Sequence, residues 1–262
     1  MKIFENLYSL LLTLYDFFFG KRWYIIEGNI GCGKTTLIRQ LKNEPSIEVI
    51  EEPVEVWKQI KNEDDENILG LFYKNQKKFA YIFQTIVFKS RMMALESPQH
   101  KLIRFSERSI WTDKNIFSKS CHESGNMDTI EKCTYDLWFE WLESKIQRKP
   151  DAIFYLRAEP GVCLERVHER DRVEESSVSL EYLSTIHEKH ESWLNGNTMY
   201  NNIPIYLIDN TDEPSKALEQ VRKITNFNSK YYQVRNYIIN QSKILLVKIN
   251  EGIDRMIDYF YS

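Results

Sequence analysis

One glycine-rich segment of the sequence has the residues of a phosphate-binding loop. Residues 28–35, Gly-Asn-Ile-Gly-Cys-Gly-Lys-Thr, match the pattern G-x-x-x-x-G-K-[ST] between a predicted strand and a predicted helix. Its glycines let backbone N–H groups point at phosphate oxygens, and the following helix adds the positive end of its dipole. Lys34 would place a positive charge at the β- and γ-phosphates, and the Thr35 hydroxyl would bind a magnesium ion. We expect nucleotide phosphates to bind at Gly28, Asn29, Ile30, Gly31, Cys32, Gly33, Lys34, Thr35 and Thr36.

Acidic and basic side chains follow two further predicted strands. The segment Glu51-Glu52-Pro53-Val54-Glu55-Val56-Trp57 comes after the second strand, and Glu107-Arg108-Ser109 comes after the third. Ligands of open parallel sheets bind outside the carboxyl ends of the strands, so these side chains would face the phosphate loop. Taken singly, either acid could cap a helix, and Pro53 could simply end a strand.

Five short apolar segments predict the strands that position these residues. They are apolar on both faces, which is typical of buried parallel strands, and longer segments with helical spacing separate them. The strands are predicted at 23–27, 47–51, 102–106, 152–157 and 203–209, and the helices at 35–42, 68–96, 128–148, 160–170 and 180–195. This alternation indicates an α/β fold of the P-loop NTPase type, with a parallel sheet of about five strands flanked by helices.

Composition excludes several classes of partner. A formal net charge of −3 provides no basic field that would hold a nucleic acid polymer by its phosphates. The four cysteines lie far apart without a C-x-x-C pair, which argues against a zinc site or a disulfide framework and favours a reducing compartment. We expect a cytoplasmic protein without a membrane span; a mitochondrial location is less favoured because Glu5 and Asp16 are unlike a presequence.

Three motifs together resemble the deoxyribonucleoside kinase family. Its members join a phosphate loop of the form G-N-I-x-x-G-K-[ST], an E-P-V-x-x-W element and an E-R-S element, and all three occur here in that order. The resemblance continues through the arginine-rich segment 166–175, similar to the family's lid, and covers about residues 23–209. It implies ATP- and Mg²⁺-dependent transfer of a γ-phosphate to the 5′-hydroxyl of a deoxynucleoside, in a homodimer formed through helices.

The resemblance also implies roles for the charged residues. Glu52 would be the general base that takes the proton of the 5′-hydroxyl, as an ionised carboxylate within hydrogen-bond reach could do. Arg108 would bind the 5′-oxygen region, and Glu107 would hold magnesium together with Thr35. The lid arginines, which could otherwise form an ordinary solvated charge run, would close over the ATP phosphates and exclude water; they are Arg166, Arg170 and Arg172.

A second group of residues would form the nucleoside pocket. Tyr73 and Gln84 are eleven residues apart on one predicted helix, close to three turns, so both could face one pocket. By resemblance, Tyr73 and Glu175 would bind the sugar 3′-hydroxyl and Gln84 the edge of the base. Aromatic side chains would enclose the sugar and base, although aromatic residues on helices more often belong to the core; they are Trp57, Phe83 and Phe117.

The predicted preference among nucleoside bases depends on Arg91 and Asp113. In the resemblance they align with an arginine and an aspartate of the branch that accepts deoxycytidine and purine deoxynucleosides. An ionised Asp113, held by Arg91, could accept a hydrogen bond from the exocyclic amino group of cytosine or adenine. We therefore expect deoxycytidine, deoxyadenosine or deoxyguanosine to be preferred over thymidine. The alternative is a structural ion pair outside the pocket.

The two ends of the chain lie outside the resemblance. The apolar stretch 10–19 is too short to span a bilayer, and residues 229–262 repeat apolar residues as an amphipathic helix does. That helix would pack on the core or, alternatively, bind a partner. We predict an N-terminal helical extension at 1–22, a P-loop kinase domain at 23–226 with its lid at about 166–178, and a C-terminal amphipathic helix at 227–262.

Other functions share parts of the pattern. A nucleoside monophosphate kinase of the thymidylate type has the loop, the sheet and an arginine lid, but the E-P-V-x-x-W and E-R-S elements argue against it. A non-catalytic subunit that retains the kinase fold would not need Lys34, Glu52 and Arg108, all of which are present. A general P-loop GTPase would carry an N-K-x-D motif, which the sequence lacks.

Overall fold

A computed structural model of the chain describes residues 20–211 and 214–226. The backbone divides into two compact units, Arg22–Gln220 and a second one made of Met1–Lys21 with Val221–Ser262. Of the second unit, only residues 20–21 and 221–226 are described. The predicted amphipathic helix at 227–262 and nearly all of the predicted N-terminal extension therefore lie outside the described residues.

One six-stranded sheet forms the centre of the first unit. Its strands are β1 (Arg22–Glu27), β2 (Ile47–Ile50), β3 (Ile103–Glu107), β4 (Ala152–Arg157), β5 (Met199–Tyr200) and β6 (Ile203–Asp209), in the order β2-β3-β1-β4-β6-β5. All neighbours are parallel except β5, which pairs antiparallel with β6. The five predicted strands are confirmed with ends shifted by no more than one residue, and the two-residue β5 was not predicted.

The strands of the sheet are buried on both faces. Ile25 and Ile26 of β1 and Ile153 and Phe154 of β4 are neighbours that point to opposite faces, yet all four are fully buried. Each large apolar side chain removed from water stabilises the fold by about 1.5–3 kcal/mol. Continuous apolar strands are therefore what this architecture requires, and they fix the position of the polar residues at the strand ends.

Helices cover the sheet and connect its strands. They are α1 (Lys34–Lys42), α2 (Val54–Lys58), α3 (Ile68–Lys74), α4 (Gln76–Leu95), α5 (Ile110–Thr112, a π-helical stretch Asp113–Ser118 and Lys119–Glu123), α6 (Thr129–Glu143), α7 (Pro160–Arg170), α8 (Leu180–Leu194) and α9 (Pro214–Thr225), with a 3₁₀ turn at Val173–Glu175. No described helix is long and apolar enough to cross a lipid bilayer.

The single helix predicted at 68–96 is wrong, because Asn75 divides it. Asn75 leaves the helical conformation, with φ −150° and ψ 79°, and its side chain accepts a hydrogen bond from the backbone N–H of Lys78. An asparagine side chain that competes for backbone groups in this way favours a cap over a helix interior. Tyr73 and Gln84 therefore lie on separate helices, and their spacing of three turns was not a valid argument for a shared face.

Candidate active site

A cavity of about 870 Å³ opens at the carboxyl ends of β1, β2 and β3. It joins the phosphate loop to a pocket with aromatic walls. Most of the predicted site residues line it: Ile30, Gly31, Gly33, Lys34, Thr35, Thr36, Glu52, Trp57, Tyr73, Phe83, Gln84, Arg91, Glu107, Arg108, Phe117, Arg166, Arg170, Arg172 and Glu175. Gly28, Asn29, Cys32 and Asp113 do not line it.

The phosphate loop has the backbone conformation that its glycines permit. Gly31 and Gly33 have φ values of 78° and 101°, in the left-handed region that favours glycine. At Gly31 a Cβ atom would lie 2.2 Å from the carbonyl oxygen of Cys163, so no other residue fits there. Asn29 supports the loop from behind, because its side-chain Nδ2 donates a hydrogen bond of 2.9 Å to the carbonyl of Leu183.

The side chains of Lys34 and Thr35 are each held by a hydrogen bond. The Nζ of Lys34 donates to the Asn29 carbonyl at 2.6 Å, which keeps the ammonium group over the loop. The Thr35 hydroxyl donates to Oε1 of Glu107 at 2.8 Å, so the two residues predicted to hold magnesium are neighbours. No cluster of three or more metal-binding His, Cys, Asp or Glu side chains occurs in the part of the chain that the structure describes. A magnesium ion that takes one or two ligands from protein and the rest from phosphates and water fits the pair.

Glu52 lies between two arginines. Its Oε1 accepts a hydrogen bond of 3.1 Å from Nη2 of Arg91 and forms an ion pair of 3.2 Å with Nε of Arg108. Burial acts to raise the pKa of Glu52, but the charges of Arg108, Arg91 and Lys34 outweigh it and lower this pKa to about 2. The carboxylate is therefore ionised at neutral pH and can accept the hydrogen bond of a hydroxyl group.

Arg91 connects Glu52 to Asp113. Its Nε and Nη2 donate to the two carboxylate oxygens of Asp113 at 2.9 and 3.2 Å, and its Nη1 donates to the Glu107 carbonyl at 3.0 Å. Burial raises the pKa of Asp113, and the two hydrogen bonds from Arg91 oppose that rise. The predicted pairing is present, but Asp113 is fully buried behind Arg91 instead of lining the cavity. A direct contact between Asp113 and the base stays a prediction, since Arg91 is the member of the pair that lines the cavity.

The arginine-rich segment lies along one side of the cavity. Arg170 and Arg172 both pair with the buried carboxylate of Glu175, with 2.6 Å between Arg172 Nη1 and Glu175 Oε1. Arg166 donates instead to the carbonyls of Asn210 and Thr211 at 2.9 and 2.8 Å. Two of its five N–H donors are thus committed to the backbone after β6, and Arg166 supports that loop as well as the cavity.

Aromatic rings form the wall of the half farther from the loop. Phe83 stacks on Phe72 with 4.7 Å between ring centroids and meets the edge of Trp57 at 5.5 Å. The Trp57 indole N–H donates to the Ser90 hydroxyl at 2.9 Å, which fixes the orientation of this ring. Phe72 also lines the cavity and was not predicted, although the apolar spacing of Leu69, Phe72 and Tyr73 indicates a common helix face.

Two polar side chains in the same half of the cavity could form hydrogen bonds with a ligand. Gln84 is only 2% exposed, and its side-chain oxygen has no hydrogen-bond partner among the described residues. Leaving such a buried oxygen unpaired costs about 1–3 kcal/mol, so a ligand that donates to it would gain affinity. Burial together with the charge of Glu175 raises the pKa of Tyr73, whose hydroxyl therefore stays protonated and can donate.

A phosphate loop at the end of β1, with an ionised carboxylate and arginines at the ends of β2 and β3, defines a kinase of the P-loop type. The family model described as "Deoxynucleoside kinase" matches residues 24–232. This chain belongs to the deoxynucleoside kinase family and is a phosphotransferase.

Proteins similar to this chain are named after different nucleosides. The chain is 36% identical over 234 residues to "Deoxycytidine kinase 2" of Gallus gallus, covering 78% of this chain and 88% of that protein. It is 35% identical over 233 residues to "Deoxycytidine kinase" of Homo sapiens, covering 78% and 90%. It is also 33% identical over 195 residues to "Thymidine kinase 2, mitochondrial" of Homo sapiens, covering 74% and 72%.

Proposed function

We propose that this deoxynucleoside kinase transfers the γ-phosphate of ATP to the 5′-hydroxyl of a deoxynucleoside, and that it prefers deoxycytidine or purine deoxynucleosides to thymidine. The observation that carries the proposal is the position of Glu52, an ionised carboxylate where the phosphate loop meets the aromatic pocket. A hydroxyl held there would lie within reach of both the carboxylate and the γ-phosphate. In-line transfer depends mainly on such positioning and on stabilisation of charge.

Each charged group would have one task during transfer. Glu52 would accept the hydrogen bond of the 5′-hydroxyl and then its proton. Lys34 would neutralise charge on the β- and γ-phosphates, and Arg108 would stabilise charge on the group in transit. Thr35 and Glu107 would hold Mg²⁺, whose positive charge would offset the negative charge of the phosphates.

The remaining residues would select and enclose the nucleoside. Tyr73 and Glu175 would bind the 3′-hydroxyl, and Gln84 would bind the edge of the base with its unpartnered oxygen. Phe83 and Phe117 would enclose the base. The ring of Phe117 also lies 4.8 Å from the Arg108 guanidinium, which would link the base pocket to the reacting phosphate.

A panel of four deoxynucleosides tests the proposed activity. Purified protein is incubated with ATP and Mg²⁺ and with deoxycytidine, deoxyadenosine, deoxyguanosine or thymidine, and the 5′-monophosphates are separated and quantified. Thymidine monophosphate as acceptor is the control, because a thymidylate-type kinase would form the diphosphate. We expect monophosphate from deoxycytidine or the purine deoxynucleosides and no diphosphate. Formation of no monophosphate with any of the four would overturn the proposal.

The segment 166–178 would act as a lid that closes when ATP binds. We expect tryptic cleavage after Arg170 and Arg172 to slow when ATP and Mg²⁺ are added, because the phosphates would engage both guanidinium groups and order the segment. Mass spectrometry of the fragments measures each site separately. Cleavage after Lys145, an exposed residue just past α6, is the internal control and should not change. Equal slowing at all three sites, or no slowing at any, would contradict a lid.

The protein would form a homodimer through α6. Four large side chains on one face of this helix are 50–75% exposed in the structure: Ile130, Leu137, Trp138 and Trp141. Exposed patches of this kind commonly mark interfaces, and a second copy of the chain would bury them.

Sedimentation velocity tests the dimer. The wild-type protein should sediment with about twice the chain mass of 31.4 kDa, and the double variant Leu137→Glu with Trp138→Glu should sediment as a monomer. Met199→Glu, at an exposed methionine on β5, is the control and should remain dimeric. A monomeric wild-type protein would overturn the proposed dimer.

We also propose a cytoplasmic location. All four cysteines are free, and three of them are buried, as suits a reducing compartment. Fluorescence imaging of the tagged full chain against a mitochondrial marker would distinguish this compartment from the one printed in the name of its thymidine kinase relative.

A further inference from the structure

Glu27 is a buried carboxyl group that the proposed mechanism does not use. It is the last residue of β1, it is completely buried, and it does not line the cavity. Its Oε1 accepts hydrogen bonds from the Ser109 hydroxyl at 2.6 Å and from the Thr112 hydroxyl. Its Oε2 has no partner among the described residues. Burying a carboxyl group in this way opposes folding unless its hydrogen bonds compensate, whereas an apolar side chain of similar size carries no such penalty.

The two hydroxyl groups that donate hydrogen bonds to Glu27 belong to residues at the start of α5. Ser109 is the N-cap of this helix, and Ser109 and Thr112 form a reciprocal capping box. Directly before it, Arg108 has φ 61°, in the left-handed region that non-glycine residues seldom adopt. Such a conformation persists only where surrounding contacts enforce it, and it is characteristic of functional sites.

The end of β1 contacts this turn at three successive residues. The backbone N–H of Arg108 donates to the Ile26 carbonyl at 2.9 Å, and the Arg108 guanidinium donates to the Gly28 carbonyl at 2.9 Å. Glu27 lies between Ile26 and Gly28 in the chain. Its carboxyl group accepts the hydrogen bonds from the hydroxyl groups of Ser109 and Thr112, which follow Arg108. Arg108 is therefore held through its backbone N–H, through its side chain and through the capping box that follows it.

The turn determines where the functional groups on either side of it lie. Glu107 reaches Thr35 on the phosphate loop, and Arg108 reaches Glu52. A relaxed backbone at Arg108 would reorient both side chains, because φ sets the direction of the chain on each side of the residue.

We infer that Glu27 is a positioning residue for phosphoryl transfer, whose carboxyl group anchors the capping box of α5 and thereby holds Arg108 in its left-handed conformation. The inference rests on the proposed function of Arg108 and Glu107. Glu27 does not line the cavity, so it would act through Arg108 and not by contact with a substrate. Burial raises the pKa of Glu27 to about 7, although the two hydroxyl groups lower it. A proton on Oε2 would leave Oε1 free to accept both hydrogen bonds, so the anchor works in either protonation state.

Replacement of the acceptor tests the inference. In Glu27→Leu, kcat per active site should fall about 10- to 100-fold, since a displacement of about 1 Å in a reacting group can reduce the rate about 100-fold. KM for ATP and for the deoxynucleoside should change less than about threefold, because the binding surfaces remain. Glu27→Gln keeps an oxygen acceptor and should recover most of the lost kcat. Active sites are counted by equilibrium binding of ATP, so a loss of folded protein is not mistaken for a loss of rate.

A double-mutant cycle separates positioning from general packing. Ser109→Ala with Thr112→Ala removes the two donors and should lower kcat as Glu27→Leu does, and combining all three changes should add little. This donor variant also keeps the test decisive if Glu27→Leu does not fold. Additive losses, or an unchanged kcat in Glu27→Leu or in the donor variant, would overturn the inference. A wild-type protein that phosphorylates no deoxynucleoside would instead refute the proposed function.

Discussion

Replacing Glu52 by alanine or glutamine is expected to lower kcat for deoxynucleoside phosphorylation by about 10²- to 10⁴-fold, the usual contribution of a general base. KM for the nucleoside should change far less, because the aromatic pocket and Gln84 are untouched. The two variants separate two effects. Alanine leaves Arg108 without its carboxylate partner and Arg91 with Asp113 alone. The glutamine oxygen can still accept the hydrogen bond from Arg91, so that variant removes the negative charge and the basic oxygen while keeping this contact.

Steady-state kinetics with both substrates varied gives kcat and KM for each variant. Glu63→Gln, at an exposed position, removes the same charge outside the cavity and should retain wild-type rates. Thermal unfolding of each variant checks that the fold is intact. If Glu52→Gln retained near-normal turnover, Glu52 would not be the base.

Lys34→Ala belongs to the same test because it removes the other charge at the reacting phosphate. Removing one preorganised donor from a transition state reduces kcat by about 10²- to 10³-fold, and we expect at least that loss here. The Lys34 ammonium also bonds the Asn29 carbonyl, so the variant further loosens the loop and should raise KM for ATP. An unchanged KM for ATP with normal kcat would place the phosphates elsewhere.

The sequence predicted the sheet and the phosphate loop because both depend on local signals. Strands buried on both faces must be apolar at consecutive positions, and the boundaries of 152–157 and 203–209 were correct to the residue. The loop needs glycine wherever φ is positive or a Cβ atom would collide, as at Gly31. These constraints act within a few residues, so a single sequence displays them.

Other features depend on contacts between distant segments and leave no such signal. The π-helical stretch Asp113–Ser118 places Asp113 against Arg91, 22 residues away, and nothing in its six residues marks it. The two-residue β5 exists only because β6 lies next to it after a turn at Asn201 and Asn202. The break at Asn75 was local and could have been predicted, because asparagine between two apolar helical patterns is a capping signal.

The preference for the base is expected to follow the ion pair of Arg91 and Asp113. Cytosine and adenine present an exocyclic amino group, and each oxygen of Asp113 can accept a second hydrogen bond besides that from Arg91. Thymine presents a carbonyl oxygen and a methyl group at the same edge, so two acceptors would face each other in a desolvated pocket. An unpaired buried acceptor costs about 1–3 kcal/mol, which corresponds to roughly ten- to a hundredfold in kcat/KM. Guanine has a carbonyl at that edge but no methyl group beside it, so the remaining N–H of Arg91 Nη1 could meet this carbonyl without the crowding that the thymine methyl group would cause.

Because Asp113 lies behind Arg91, the base would interact with the ion pair as a whole and not with the aspartate alone. The informative variant is therefore Arg91→Met with Asp113→Ala, since removing one partner would leave the other buried and uncompensated at about 3–5 kcal/mol. The variant also removes one of the two cations beside Glu52, so every rate should fall. The readout is the ratio of kcat/KM for thymidine to that for deoxycytidine, which should rise about ten- to a hundredfold.

A second, partly buried ion pair provides the control for this ratio. Arg104 and Glu48 join β3 to β2 with 2.6 Å between Nε and Oε1, and neither residue lines the cavity. Arg104→Met with Glu48→Ala removes the same two charges and should lower stability while leaving the ratio at its wild-type value. Should the wild-type protein favour thymidine, or should both double variants shift the ratio equally, the pair of Arg91 and Asp113 would not read the base. A ratio that rises only in the cavity variant would assign the preference to the pair of Arg91 and Asp113.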